Sequence, residues 1–375
     1  MMHERKADCS PEEVGYNPLA VERLDKLSTE LIENGTIQAA GYLIARKGKI
    51  IANKSAGKLT REKNSPDNMP DSLRPIASLT KAFTSAGIWQ LLEQGKIYLH
   101  QQVREILKEF DTTMHEQITI YQLLTHTSGM TACSGAMLEP YINEPDWESL
   151  TKENWIRKLL AGPLQFKPGT TWSYCNFGFQ FLGEIITRVS GMDYDEYIIE
   201  NILKPLKMND TGFFVPKADK KRVCRVSDWN EWFISRTREH MHAAALMAAG
   251  GMYSSTPDMF RFGQMLLNGG SLDGVRILGR KTVESGTKKH IKSFKSYNWH
   301  GHLFDDSHDV DYGLGLEINK HKFLTDGTFD HEGAGGVLLF VDPKEEFVFA
   351  GIFSSQDWHG ESWVSPLCIA WGGIE

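Results

Sequence analysis

The chain is poor in several features that would assign it to a familiar class. Its 375 residues hold five cysteines, Cys9, Cys133, Cys175, Cys224 and Cys368, far apart and never in a CxxC pair. An odd count leaves at least one unpaired, so we read all five as reduced thiols and infer no zinc site. No apolar run is long enough to span a bilayer, and the polar start Met1 to Asp8 is followed by no stretch of signal-peptide length. The chain as given therefore reads as cytoplasmic with no membrane partner, although a chain trimmed of its leader would look the same. Positive charge is also in deficit, with 41 Lys and Arg against 48 Asp and Glu and a net charge of −7. Nucleic-acid binding needs a clustered cationic surface. The nearest run, Lys288-Lys289-His290-Ile291-Lys292 with Lys295, reads as a solvated segment, and nucleic acid is excluded as a partner. There is no GxSxG for a nucleophile elbow and no HExxH for a metallohydrolase.

What is present is a 41% apolar share, enough for a large core. Leu19, Val21, Leu24, Leu27, Leu31 and Ile32 recur at helical spacing after Pro18, and Gly35 closes the segment. Ala40 to Arg46 and Ile50 to Ser55, joined through Lys47-Gly48-Lys49, predict a β-hairpin. Ser78 to Gln94 reads as a largely buried helix ending at Gly95. Helical patterns dominate from there to Gly286, at Ile118 to Leu124, Phe177 to Val189, Tyr194 to Lys204 and Thr256 to Leu267. Strands return at Tyr312 to Asn319, Thr328 to His331, Val337 to Asp342 and Phe347 to Ser354, before a short helix within Trp363 to Trp371. Sequential hairpin strands favour an antiparallel sheet that unites the two chain ends, about 10–70 and 287–375, with a mainly helical region of about 71–286 inserted. An active site then falls in the seam between them.

Chemistry enters with serine and lysine. A serine hydroxyl needs a neighbouring base, and on a helix the residue three positions later shares its face. Ser78 and Lys81 meet that spacing, but so do Ser55 and Lys58, Ser149 and Lys152, and Ser285 and Lys288. About two such matches are expected by chance. Only Ser78 opens a long apolar helix, whose N-terminus offers free N–H groups to a developing oxyanion. Taken alone, Ser78 reads equally as a helix cap with Lys81 an exposed first-turn lysine.

Pro75-Ile76-Ala77-Ser78-Leu79-Thr80-Lys81 resembles the SxxK element of the serine β-lactamase and penicillin-binding-protein family, in its class C β-lactamase, D-aminopeptidase and esterase branch. Four further segments agree in order. Leu123 to Gly129 resembles LLTHTSG; Pro168-Gly169 with Tyr174-Cys175-Asn176-Phe177-Gly178 resembles PG…YSN-G; Gly250 to Gly270 resembles a helical segment of that branch; and His331-Glu332-Gly333-Ala334 stands where the family has KTG or HxG. The resemblance covers the chain from about residue 10 onwards and implies a single β-lactamase-like α/β (α+β) catalytic domain, 10–375, needing no cofactor. It implies that Ser78 is the nucleophile and that Tyr174, as phenolate, or Lys81, if neutral, is the base. It further implies that Asn176 holds Lys81 and the substrate's acyl amide, that the N–H groups of Ser78 and Ala334 form the oxyanion hole, and that the His331, Glu332 and Gly333 strand lines the substrate.

Departures from the β-lactamase pattern narrow the reading. His331 replaces lysine and Glu332 replaces threonine; a partly charged histidine and a carboxylate beside the site disfavour an anionic substrate. The expected function is an esterase or D-amino-acid peptidase or amidase, acting on a small ester, amide or peptide, with weak or no β-lactamase activity. A penicillin-binding DD-carboxypeptidase or β-lactamase, an acyl transferase and a catalytically inactive binding or scaffold relative are the alternatives. His331 also reads as a strand-end residue without catalytic part, and Glu332 as pointing away, because strand residues alternate faces. His126 reads as structural, tying a loop together. The group His300, His302, His308, Asp305, Asp306 and Asp309 reads as a polar loop rather than a metal site. Tyr141-Ile142-Asn143 is a second, weaker YxN match, and Trp172, Trp299 and Trp358 line either the cleft or the core.

Overall fold

The computed structural model describes residues 2–130, 150–240, 243–295, 309–355 and 360–375. Cys133, Tyr141 to Asn143, Ser149, the His300, His302 and His308 group with Asp305 and Asp306, Trp299 and Trp358 lie outside these ranges.

Nine strands form one sheet: β1 (His3–Glu4), β2 (Ala39–Arg46), β3 (Lys49–Gly57), β4 (Ile291–Lys295), β5 (Asp309–Tyr312), β6 (Glu317–Ile318), β7 (Phe329–Gly333), β8 (Val337–Asp342) and β9 (Phe347–Ser354). Their order is β1-β3-β2-β9-β8-β7-β6-β5-β4, with every pairing antiparallel. The two chain ends therefore meet in one sheet, as the hairpin pattern predicts, through the β2–β9 ladder from Ala39↔Ser354 to Arg46↔Phe347. The β2–β3 turn takes positive φ at both Lys47 (51°) and Gly48 (73°), the twist-matched conformation of a two-residue hairpin.

Strands β2, β8 and β9 are buried throughout, so the sheet must be covered on both faces. On one face lie α1 (Pro18–Glu33) and a C-terminal helix (Ser365–Trp371), packed through Leu24, Leu31, Tyr42, Ile44, Phe340, Phe347 and Trp371. The other face meets Thr256–Leu267, and a continuous apolar core runs from Leu43, Leu339 and Val348 through Met259 and Phe262 to α2 (Thr80–Glu93). Helix α2 is buried from Thr80 to Leu91, which is why its sequence is apolar nearly all round. Behind it pack α3 (Ile120–Leu124) and α4 (Asn176–Ser190). No helix among the described residues is long and apolar enough to cross a membrane. Cys9, Cys175, Cys224 and Cys368 are free thiols.

Several details differ from the sequence reading, and Tyr312 to Asn319, read as one strand, divides between the end of β5 and the antiparallel β6. The lysine-rich stretch read as a solvated segment runs into β4, an outer strand of the sheet. Tyr194 to Lys204 divides into an α-helical turn (Tyr194–Ile198) and a π-turn (Ile199–Leu203). The Gly250 end of the segment matched to the family leads into the two-residue strand Tyr253–Ser254, while the helix itself spans Thr256–Leu267 as read. That helix, though inside the region assigned to the helical insertion, lies against β2, β8 and β9.

Candidate active site

The segment Arg74–Pro75 pairs with Tyr253–Ser254, and the Ile76 N–H donates to Met252 O at 2.9 Å. This anchors the chain just before Ser78, which sits half-buried in a single 3₁₀ turn (Ala77–Leu79) leading into α2. Ala77 is held at φ 45°, a left-handed conformation costly for a residue with a Cβ, and such strain concentrates at functional sites. The Thr80 hydroxyl accepts the Met252 N–H at 3.1 Å and ties the first turn of α2 to the same strand.

Lys81 follows on the same helical face and is completely buried. Its Nζ donates to Ser78 Oγ at 3.2 Å and to Ala249 O at 2.6 Å, and lies 4.7 Å from the Tyr174 ring centroid. The resemblance assigned the lysine-holding role to Asn176. In the structure the Ala249 carbonyl takes part in holding Lys81, and Asn176, half-buried, opens α4 two residues after Tyr174. The carbonyl was invisible to a side-chain reading, because any residue supplies one and only the tertiary path of the Gly250-Gly251 turn aims it.

Tyr174 is positioned by a loop-to-loop splint. Gly169 N–H donates to Thr127 O (2.7 Å), Ser173 N–H to His126 O (2.8 Å) and Cys175 N–H to His126 Nδ1 (3.0 Å). His126 thus ties the loop together, as its sequence context suggested, and packs tilted against the Tyr174 ring with centroids 4.4 Å apart. Since Nδ1 accepts, neutral His126 carries its proton on Nε2. Burial, then the neighbouring Lys81, holds its pKa well below the ordinary value. Trp172 is buried against His126 and Tyr312 and is core to this splint.

Strand β7 closes the other side. His331 Nδ1 donates to Glu332 O at 2.7 Å, leaving Nε2 a buried acceptor with no partner. Burial, reinforced by the Lys81 charge, pulls the His331 pKa down to about 3, so this histidine is neutral, not partly charged. Opposite His331 in the ladder is Leu339, which belongs to the α2 side of the sheet. Glu332 pairs with Leu338, on the α1 side. The expectation that Glu332 contacts substrate is therefore corrected: strand alternation turns it through the sheet, where its carboxylate meets Lys320 Nζ at 2.7 Å and His321 Nε2 at 3.6 Å. Glu317 is 3.0 Å from the same Lys320 Nζ, and Asp330 joins the group with both oxygens buried and unpartnered. Burial favours the neutral form of every carboxyl in this group. It raises Asp330 well above the ordinary value and raises Glu317, whereas Lys320 and His321 outweigh it at Glu332 and hold that carboxylate near 2.

Gly333 ends β7 against the nucleophile segment: a Cβ there would lie 2.1 Å from Ile76 O. Ala334, the first residue of the following turn, is exposed. The structure thus gathers Ser78, Lys81, Tyr174, His331 and Gly333, with Ala334 next in the chain, and turns Glu332 to the other face. No metal-binding group of His, Cys, Asp and Glu occurs among the described residues.

A family model described as Beta-lactamase matches residues 24–362. PbpX of Bacillus subtilis is 31% identical over 332 residues, covering 85% of this chain and 74% of its own. Among solved structures, a penicillin-binding protein homologue from Caulobacter crescentus is similar with a TM-score of 0.75 at 21% identity, covering 95% of this chain and 98% of that one. EstCE1, a hydrolase with promiscuous acyltransferase activity, gives 0.75 at 19% identity over 94% and 97%. At such identities the two structures establish the shared fold.

Proposed function

The chain belongs to the beta-lactamase family, whose structural neighbours include esterases and penicillin-binding-protein homologues, and on that premise we propose that it is a serine hydrolase working through an acyl-enzyme on Ser78. The observation that carries this is the Ser78 Oγ to Lys81 Nζ contact of 3.2 Å, with Tyr174 packed on the lysine. Ser78 Oγ attacks the substrate carbonyl carbon while its proton passes to Lys81 or Tyr174. The carbonyl π pair moves onto oxygen, which the N–H groups of Ser78 and Ala334 receive. Collapse expels the alcohol or amine with a returned proton, and water repeats the sequence to free the acid.

The preferred substrate class is a small neutral ester, or an amide or peptide with a free amino terminus. The reason is His331. The position where the family's KTG carries lysine holds here a neutral imidazole with a free lone pair, which accepts a hydrogen bond and offers a penicillin carboxylate no charge. Glu332 contributes no repulsion, because Lys320 neutralises it on the far face. Weak β-lactamase activity is thus retained from the sequence reading, for one of its two reasons.

The test is labelling with a fluorophosphonate probe and mass spectrometry of the modified peptide, alongside p-nitrophenyl esters, D- and L-aminoacyl anilides and a cephalosporin reporter. The expected result is a Ser78 adduct lost in Ser78→Ala, with esters or aminoacyl anilides hydrolysed faster than the cephalosporin. Labelling elsewhere, or none, refutes the mechanism; a faster cephalosporin refutes the substrate class.

A further inference from the structure

Four residues before the nucleophile stands a cation the family mechanism does not use. Arg74 is 2% exposed, yet no carboxylate among the described residues pairs with it. Its Nη1 donates to Asn230 Oδ1 and its Nη2 to Gly335 O, each at 3.3 Å, the Cys224 thiol lies beside it, and Nε finds no acceptor. A guanidinium buried with only amide, carbonyl and thiol partners is a costly feature for a protein to keep, and it persists where the group serves a purpose.

The location of Arg74 says what that purpose is. Gly335 follows Ala334 in the turn between β7 and β8, at φ 86°, and a Cβ on it would stand 2.6 Å from Arg74 Nη2. The same turn is held from behind by Phe353 N–H to Gly336 O (2.8 Å), and Gly333 abuts Ile76 O. Arg74 therefore joins the two segments that carry the oxyanion donors: its backbone is continuous with Ser78, and its guanidinium grips the turn of Ala334. We propose that Arg74 is a positioning residue for the oxyanion site, fixing the Ala334 N–H relative to the Ser78 N–H through its grip on Gly335 O.

The proposal rests on the acyl-enzyme reading, and the experiment separates the two. Wild type, Arg74→Gln, Arg74→Lys and Gly335→Ala are compared for fluorophosphonate labelling, kcat and KM on a p-nitrophenyl ester, affinity for a boronic acid that forms a tetrahedral adduct with Ser78 Oγ, and melting temperature. Loss of one direct oxyanion donor costs about 100-fold or more in kcat, so an indirect support should cost about tenfold. Arg74→Gln is expected to lower kcat about tenfold with KM within about twofold, and to weaken the boronate by the same factor. Arg74→Lys, keeping charge but not the fork, recovers part of the loss. Gly335→Ala crowds the same contact from the turn and lowers kcat even if Arg74→Gln fails to fold. A folded Arg74→Gln or Gly335→Ala enzyme with wild-type kcat and boronate affinity, or a change in melting temperature alone, overturns the role of Arg74 and leaves the mechanism standing. Wild type that neither labels at Ser78 nor hydrolyses esters overturns both.

Discussion

His331 and Glu332 are neighbours on β7, and the two faces of the sheet they enter treat charge in opposite ways. On the α2 face His331 is neutral and Lys81 Nζ is held by the hydroxyl of Ser78, the Ala249 carbonyl and the Tyr174 ring. On the α1 face Glu332, Glu317 and Asp330 crowd around Lys320, whose own charge survives burial because these carboxylates outweigh it. The first arrangement leaves room for charge that appears during a reaction. The second is complete without a ligand and has the character of a structural ion cluster. Perturbed titration on both faces shows why a shifted pKa alone does not locate an active site.

The comparison is broken most severely by removing the cation from the site face. Lys81→Met should lower kcat/KM for esters by on the order of a thousandfold or more, because nucleophile, base and donor act as a unit. Measurement of kcat/KM beside a melting curve checks this; a variant within tenfold of wild type removes Lys81 from the mechanism. The matching change on the other face has the opposite signature. Lys320→Met strands Glu332 beside Glu317 and should cost about 3–5 kcal/mol of stability, since breaking a buried ion pair leaves its partner uncompensated. Its kcat per folded molecule should stay near wild type. Glu332→Thr likewise destabilises while leaving the cephalosporin-to-ester ratio unchanged, and a changed ratio would return Glu332 to the substrate. Because Glu332 is held near 2, below its unfolded value of 4.5, the stability it contributes is present above pH 4.5 and is lost as pH falls towards 2. Asp330, raised in the folded state, acts in the reverse sense and costs stability as pH climbs past its unfolded value of 3.8.

Which parts of this were legible in the sequence follows from how local the signals are. The Ser78 and Lys81 pair is a helical i, i+3 relation, and the hairpin at Lys47-Gly48 is a turn of two residues; both are short-range and both stand in the structure as read. Alternation along β7 was also readable, and given that His331 faces α2, it places Glu332 on the far side without further information. What could not be read is what closes in from a distance. The Ala249 carbonyl reaches Lys81 across 168 residues, and the Arg74 guanidinium reaches Gly335 across 261. Neither leaves a pattern, because a carbonyl belongs to every residue and a lone arginine before a helix reads as surface. Strand β4 was missed for a related reason: its lysines suit an edge strand as well as a solvated loop, and only the partner β5 decides between them.

The smallest expected effect tests the neutrality of the site face most directly. A histidine with an ordinary pKa near 6.5 would put an acid limb on ester hydrolysis in the middle of the working range. Here His331 is depressed to about 3, so it does not change charge between pH 5 and 8, and burial lowers His126 in the same direction. His331→Gln should therefore lower kcat/KM by no more than about tenfold and leave the midpoints of its pH profile within about half a unit of wild type. The sign for stability runs the other way. A folded pKa below the unfolded one means that the stabilising contribution of neutral His331 is present above pH 6.5 and is lost as pH falls towards 3, because the unfolded chain takes up the proton first. The glutamine variant has no such group and should lose less stability than wild type between pH 7 and pH 4, whatever its starting value. A pH profile whose midpoint moves with the substitution, or an acid-side stability loss identical in the two proteins, would mean that His331 is charged in the folded enzyme and that the site face offers an anionic substrate a cation after all.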